Sequence, residues 1–172
     1  MATLLLIRHC EPEPVGVLLG QVDSPLSAQG RRRASDAFTG IEVEMIWCSP
    51  LRRAVETAAH VRSAQRAMLS GLREIDHGEW SGKTWAEVEA AWPDLARRKL
   101  ENWTGIDAPA GESWTAFTDR VAAAWDMIRD GPKPAAVVAH QGVNAVLAAL
   151  VTGANPLQFT QGYGEVIGLE YK

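Results

Sequence analysis

Short unbroken apolar runs alternate with longer amphipathic stretches along this chain. Residues 3–7 (TLLLI) and 135–139 (AAVVA) carry almost no charge or polarity, the pattern of strands covered on both faces. Residues 43–48 (VEMIWC) read as another strand, 67–70 as a short one, and 165–171 as a weakly alternating edge strand. Helix starts are marked by side chains. Ser27 is placed to cap one helix. Ser49-Pro50 has the N-cap and N1 signature of a second, expected to run to about residue 66. Thr84 with Glu87 predicts a capping box before a helix from Trp85, which Pro93 should interrupt. Over 112–130, Trp114, Phe117, Val121, Trp125 and Ile128 fall on one helical face. A last helix follows residue 140 and ends near Val151.

Strand followed by helix, repeated, predicts an α/β fold: a three-layer α/β/α sandwich with a mostly parallel central sheet. A length of 172 residues fits one domain, 1–172. The stretch at about 76–111 stands apart as a small subdomain of loops and short helices. Its tryptophans, Trp80, Trp85, Trp92 and Trp103, read as that subdomain's core, with one or two at a pocket mouth.

Composition narrows the partners. A formal charge of −4 disfavours nucleic acid and anionic membrane, and no run approaches a membrane span. Two cysteines, Cys10 and Cys48, are too few for a disulfide framework, and the run at 3–7 is too short for a signal-peptide core. The expectation is a cytoplasmic protein whose oligomeric state is open, a dimer included. Of 17 basic residues, 13 are arginine, the side chain suited to bidentate binding of phosphate or carboxylate.

In a parallel sheet, ligands bind beyond the C-terminal ends of the strands. Arg8-His9, the segment Ser49 to Arg53, and His140 all follow expected strands, so three distant parts of the chain should converge there. Histidines among arginines suit phosphoryl transfer. An imidazole nitrogen can carry the phosphoryl group, and arginines can neutralise its oxygens. A protonated carboxyl must then protect the leaving alkoxide with a proton, and Glu74 or Asp76 could supply it. Arg52 reads as a solvated or salt-bridged neighbour and Arg31-Arg32-Arg33 as a solvated helix face.

These residues carry a resemblance. Arg8-His9 after Leu4-Leu5-Leu6-Ile7 resembles the Arg-His-Gly signature of the histidine phosphatase superfamily, which includes the cofactor-dependent phosphoglycerate mutases. Ser49-Pro50-Leu51-Arg52-Arg53-Ala54 with Glu56-Thr57-Ala58 is similar to the second arginine block of that family. Residues 72–84, Gly111-Glu112-Ser113 and Val137-Val138-Ala139-His140 complete the order. The resemblance implies His9 as phosphorylated nucleophile, Arg8 and Arg53 as phosphate clamp, His140 opposite, and Glu74 as proton donor with Asp76 as fallback. Gly20, Gln21 and Gln141 join Arg8 and Arg53 as expected substrate contacts, and no metal or cofactor is implied.

Three departures stand out. Cys10 replaces the glycine after the nucleophile, Gln141 replaces a glycine after the second histidine, and no asparagine lies between residues 10 and 20. The segment at 20–26 looks like small bacterial phosphatases, α-ribazole phosphatases among them. The expected function is hydrolysis of small phosphomonoesters through phosphohistidine. The alternatives are a degenerate member that binds phosphorylated ligands with little turnover, a phosphoglycerate mutase, or a metallohydrolase using His9, His77, His140 and Asp76. The mutases carry extra segments in the acid-bearing region that this chain lacks, and His-x-His or His-Glu-x-x-His spacing is absent.

Overall fold

The most apolar runs sit at the centre of the sheet. The computed structural model describes residues 1–171. Its strands are β1 (Ala2–Arg8), β2 (Glu42–Cys48), β3 (Arg62–Met68), β4 (Ala135–Ala139) and β5 (Val166–Tyr171), in the order β3-β2-β4-β1-β5. Strand β4 pairs in parallel with β1 and β2, β3 is parallel to β2, and β5 closes the sheet antiparallel to β1. All five residues of β4 are fully buried, as a central strand flanked on both edges and covered on both faces must be.

Side chains alternate across this sheet and feed two cores. Leu4, Leu6, Met45, Trp47 and Val137 pack against α5 (Trp114–Asp130) and α6 (Gln141–Thr152). Ile7, Ile46, Cys48, Ala136 and Val138 pack toward α1 (Ala28–Ala37) and α2 (Arg52–Ala58). The result is the expected three-layer α/β/α arrangement. A third, smaller cluster joins Trp80, Val88 and Ala96 between α3 (Trp85–Ala91) and α4 (Pro93–Glu101). There Trp80 meets Trp85 edge-on at 5.8 Å and Trp85 lies 6.2 Å from Trp103.

Several caps form as expected. The Ser27 hydroxyl accepts the N–H of Gly30 at 2.9 Å, and Thr84 and Glu87 make a reciprocal capping box. Pro93 separates α3 from α4. The second helix is corrected in two ways. It starts at Arg52 after Leu51, whose apolar side chain caps nothing, while the Ser49 hydroxyl accepts the N–H of Leu51 at 3.3 Å and meets His140 at 2.8 Å. It ends at Ala58 and not near residue 66, and residues 62–68 form edge strand β3. Arg62, Ser63, Gln65 and Arg66 hide that strand from a hydrophobic pattern. An edge strand is held by its backbone ladder and can leave most side chains in water.

Candidate active site

The ladder of the sheet continues past the strand ends and brings the two histidines together. The N–H of His9 donates to the carbonyl of Ala139 at 2.9 Å, and that of Ser49 to Val138 at 3.0 Å. The ring centroids of His9 and His140 lie 5.1 Å apart. His9 Nδ1 is 2.7 Å from the Cys10 carbonyl oxygen. A carbonyl only accepts, so Nδ1 carries the proton and Nε2 keeps a free lone pair. Burial first, then the charge of Arg53, pushes the His9 pKa down to about 3, so the ring is neutral at pH 7. His140 is driven well below its usual range, by burial first and then by His9 and Arg53. Its Nε2 meets Ser49 Oγ at 2.8 Å, while its buried Nδ1 has no protein partner.

Two arginines flank this pair. Arg53 Nη1 donates to Val22 O and Nη2 to Gly20 O, each at 2.7 Å, and Arg8 Nη1 donates to Gln161 O. Neither arginine pairs with a carboxylate among the described residues, and the buried Nε of each has no partner. A buried guanidinium, Arg53, and a half-buried one, Arg8, neither neutralised, suit an anion. Thr57 ties the arginine helix to the nucleophile loop: its hydroxyl donates to Arg53 O and accepts the N–H of Cys10.

Glu74 faces the same space. Its Oε1 accepts the N–H of Ile75 at 3.0 Å and its Oε2 that of Gly142 at 3.1 Å. Burial raises its pKa against the opposing pull of those two N–H groups and of Arg53 and Arg8. Gly142 permits the approach, since a Cβ there would stand 2.5 Å from Glu74 Oε1. The segment carrying Glu74 is held by Arg120, which donates to the carbonyls of Gly71, Arg73 and Glu74 and pairs with Glu112 at 2.6 Å. Glu112 in turn accepts the N–H of Asp76.

Two adjoining compartments share Glu74 and His77. The narrow one, about 140 Å³, is bounded by Arg8, His9, Gly20, Arg53 and Tyr163. The larger one, about 320 Å³, has aromatic walls that include Trp80, Trp103, Trp114, Phe117 and Phe159. Asp76 belongs only to the larger one, and its Oδ1 accepts the N–H of Gly78, which leaves Glu74 as the carboxyl beside His9.

The sequence-predicted residues His9, Arg8, Arg53, Glu74, His140 and Gly20 thus converge. Gln21 lies outside both walls. The Gln141 side chain lines the larger compartment but is committed to the backbone, donating to Phe159 O and accepting the N–H of Gln161. Cys10 is buried outside the left-handed region, so its Cβ costs no backbone strain. Its sulfur sits against Gly164, where an added Cβ would lie 2.9 Å from Sγ. Arg52 pairs with Glu56 as expected. Sequence reasoning missed Tyr163, which stacks 4.1 Å from the Arg8 guanidinium and 5.6 Å from the His9 ring. It also missed Gln161 and Asn144, a buried amide pair whose Gln161 Nε2 donates to Leu6 O. No motif signals these, since their spacing to the site arises only in the fold. Among the described residues no group of His, Cys, Asp and Glu is arranged to hold a metal ion, and no helix is long and apolar enough to cross a membrane.

A neutral histidine paired with a second histidine between unneutralised arginines, beside a carboxyl of raised pKa, is an arrangement suited to phosphoryl transfer through histidine. Residues 4–172 match the family model of the histidine phosphatase superfamily, branch 1, and the chain belongs to that family. It is 32% identical to phosphoserine phosphatase 1 of Hydrogenobacter thermophilus over 137 residues, which cover 75% of this chain and 65% of that protein. It is 34% identical over 170 residues to the glucosyl-3-phosphoglycerate phosphatase of Mycolicibacterium vanbaalenii, covering 87% of this chain and 74% of that one. Its fold matches the crystal structure of a candidate α-ribazole-5'-P phosphatase of Escherichia coli with a TM-score of 0.88, at 26% identity, over 97% of this chain and 89% of the other. Family and relatives together make this a phosphoric monoester hydrolase.

Proposed function

We propose that the protein hydrolyses small phosphomonoesters in two steps through a phosphohistidine at His9. The observation that carries this reading is the free Nε2 of a neutral His9 beside a buried and a half-buried arginine, Arg53 and Arg8, without counter-ions. Nε2 attacks phosphorus in line, the N–P bond forms and the ester P–O bond breaks. Glu74, protonated, gives its proton to the departing alkoxide. Arg8 and Arg53 hold the phosphoryl oxygens, their charge fixed in place before the reaction begins. With the Ser49 hydroxyl donating to His140 Nε2, the proton of His140 lies on Nδ1, a buried donor that no protein group takes up and that we assign to the phosphoryl group. In the second step Glu74, now a carboxylate, takes a proton from water. The water oxygen attacks phosphorus, the N–P bond breaks, and phosphate leaves.

The aromatic compartment beside Glu74 is where the leaving alcohol would sit, and its size favours a bulky, flat alcohol over a small zwitterion. An α-ribazole-like ester is of that kind. The proposed setting is the cytoplasm, where the two free, buried cysteines stay reduced. The test is phosphate release from p-nitrophenyl phosphate and a panel of phosphomonoesters in EDTA, with rapid-quench trapping of an acid-labile protein phosphate. Wild type should turn over and label. His9→Ala should lose at least about 10⁴-fold in kcat/KM and all labelling. Turnover by wild type without labelling, or full activity in His9→Ala, would remove the reading.

A further inference from the structure

One charge in the wall of the larger compartment has no role in the steps above. Lys99, in α4, is only 7% exposed. Its ammonium donates to the carbonyls of Trp103 and Ile106 and lies 4.8 Å from the centre of the Trp103 ring. No carboxylate among the described residues is within 4.0 Å of it, and the one acid that stabilises its charge, Asp107, is exposed to solvent. An ammonium has three N–H donors, and the protein takes two. A buried cation without a counter-ion is unfavourable, and a ligand anion can offset that cost.

The surroundings leave that role open to a ligand. Glu112 is neutralised by Arg120, Asp76 is engaged by the N–H of Gly78, and Glu74 is the acid that must hold a proton. The Lys99 charge is felt at His77, the residue shared by both compartments, where it adds to burial in lowering the imidazole pKa to about 4. The ammonium therefore belongs electrically to the site, although it stands outside the phosphate compartment.

We propose that Lys99 is a specificity-determining residue that receives an anionic group, a carboxylate in the first instance, on the leaving alcohol of an aromatic phosphomonoester. The phosphoryl group occupies the arginine compartment, the aromatic ring lies between the tryptophan and phenylalanine walls, and the carboxylate meets the third N–H of Lys99. The proposal rests on the phosphatase reading of the same site.

The experiment compares 6-carboxy-2-naphthyl phosphate with 2-naphthyl phosphate. Wild type should favour the carboxylated ester by about tenfold or more in kcat/KM, the worth of one charge-assisted hydrogen bond. Lys99→Gln keeps N–H donors for the two carbonyls and removes the charge. It should bring the ratio to about one, whatever it does to the neutral ester. Lys99→Arg should restore part of the preference. A merely structural lysine would change both esters alike and leave the ratio where it was. That outcome, or a wild-type ratio of one or below, overturns the proposal. The same comparison by tryptophan quenching, with 6-hydroxy-2-naphthoate against 2-naphthol, needs no turnover. If neither ester is cleaved, the phosphatase reading fails, and tighter binding of the naphthoate, lost in Lys99→Gln, still upholds the anion subsite. If the variants do not fold, the wild-type preference alone decides.

Discussion

The two compartments that meet at Glu74 are built by different rules. The phosphate compartment draws its groups from the ends of β1, β2 and β4, and nearly every one is tied to backbone: His9 to Cys10 O, Arg53 to Gly20 and Val22, Arg8 to Gln161. The larger compartment is shaped by aromatic side chains from segments near residues 80, 103, 114 and 159. On the proposed reading, the first fixes charges in place for a reacting group that is the same in every substrate, and the second offers area and one buried cation to distinguish one alcohol from another. Changes in the first should therefore affect all phosphomonoesters, and changes in the second should sort them.

Glu74 borders both compartments, so its substitution gives the largest effect and a mixed one. Glu74→Gln should lower kcat about 10²- to 10⁴-fold for an alkyl phosphate, whose alkoxide needs the proton. For p-nitrophenyl phosphate the first step should fall far less, because the phenolate leaves unaided. Burst kinetics on both esters would separate the steps. An equal loss in the first step for both would show that Glu74 positions the phosphate and does not donate a proton. In wild type, activity on the alkyl ester should fall as pH rises through the raised pKa of Glu74, while His9, neutral down to about pH 3, sets the acid limit for free enzyme.

Arg120 comes next. It touches neither compartment's occupant but holds three carbonyls of the Glu74 segment and neutralises Glu112. The pair is 21% and 15% exposed, so solvent screens part of its strength. Arg120→Met should cost about 2 kcal/mol of stability and about tenfold in kcat. It should also move the alkaline limb of the alkyl-ester profile, because the carboxyl it positions moves. A drop in melting temperature with an unshifted limb would make Arg120 a stability residue alone.

The histidines give a smaller, titratable effect. Burial holds His9 and His77 to about 3 and about 4, against 6.5 for an ordinary histidine. Between those values and 6.5 the unfolded chain binds protons that the native protein refuses, so stability falls as pH is lowered through that window. Each histidine adds a slope of at most about 1.4 kcal/mol per pH unit. Glu74, with a raised native pKa, opposes them: its contribution is complete at low pH and is lost as pH rises through its native value. Melting temperatures from pH 7 to pH 4 should fall in wild type and fall less in His77→Asn. An identical slope in both proteins would place His77 in water.

Legibility in the sequence follows the same division. Phosphoryl transfer admits few residue types, so Arg8-His9, the segment Ser49 to Arg53 and His140 stand out at expected strand ends before any geometry is known, while Glu74 is preferred to Asp76 only through the family resemblance. Tyr163, Gln161 and Lys99 do not stand out. A tyrosine stacked on an arginine, an amide bridging two strands and a lysine without a partner acquire meaning only from what stands beside them. The fold shows a parallel contrast. Buried strands β1 and β4 announce themselves by composition, while β3, polar and held by its ladder, passed for the end of a helix.

The smallest expected effect concerns the residue that departs most visibly from the family pattern. A glycine after the nucleophile would be required if the backbone there were left-handed or if a Cβ met the phosphate. Neither holds at Cys10. Its φ is not positive, its side chain is fully buried away from both compartments, and Gly164 leaves room for its sulfur. Position 10 therefore belongs to the core behind the site, and the backbone N–H it gives to Thr57 is available from any residue but proline. Cys10→Gly should leave kcat/KM within about threefold and cost about 1–2 kcal/mol, from lost packing and greater freedom of the unfolded chain. A gain of tenfold or more in turnover would instead mean that the Cβ displaces the loop carrying His9, and that the phosphate compartment is less well set than its hydrogen bonds indicate.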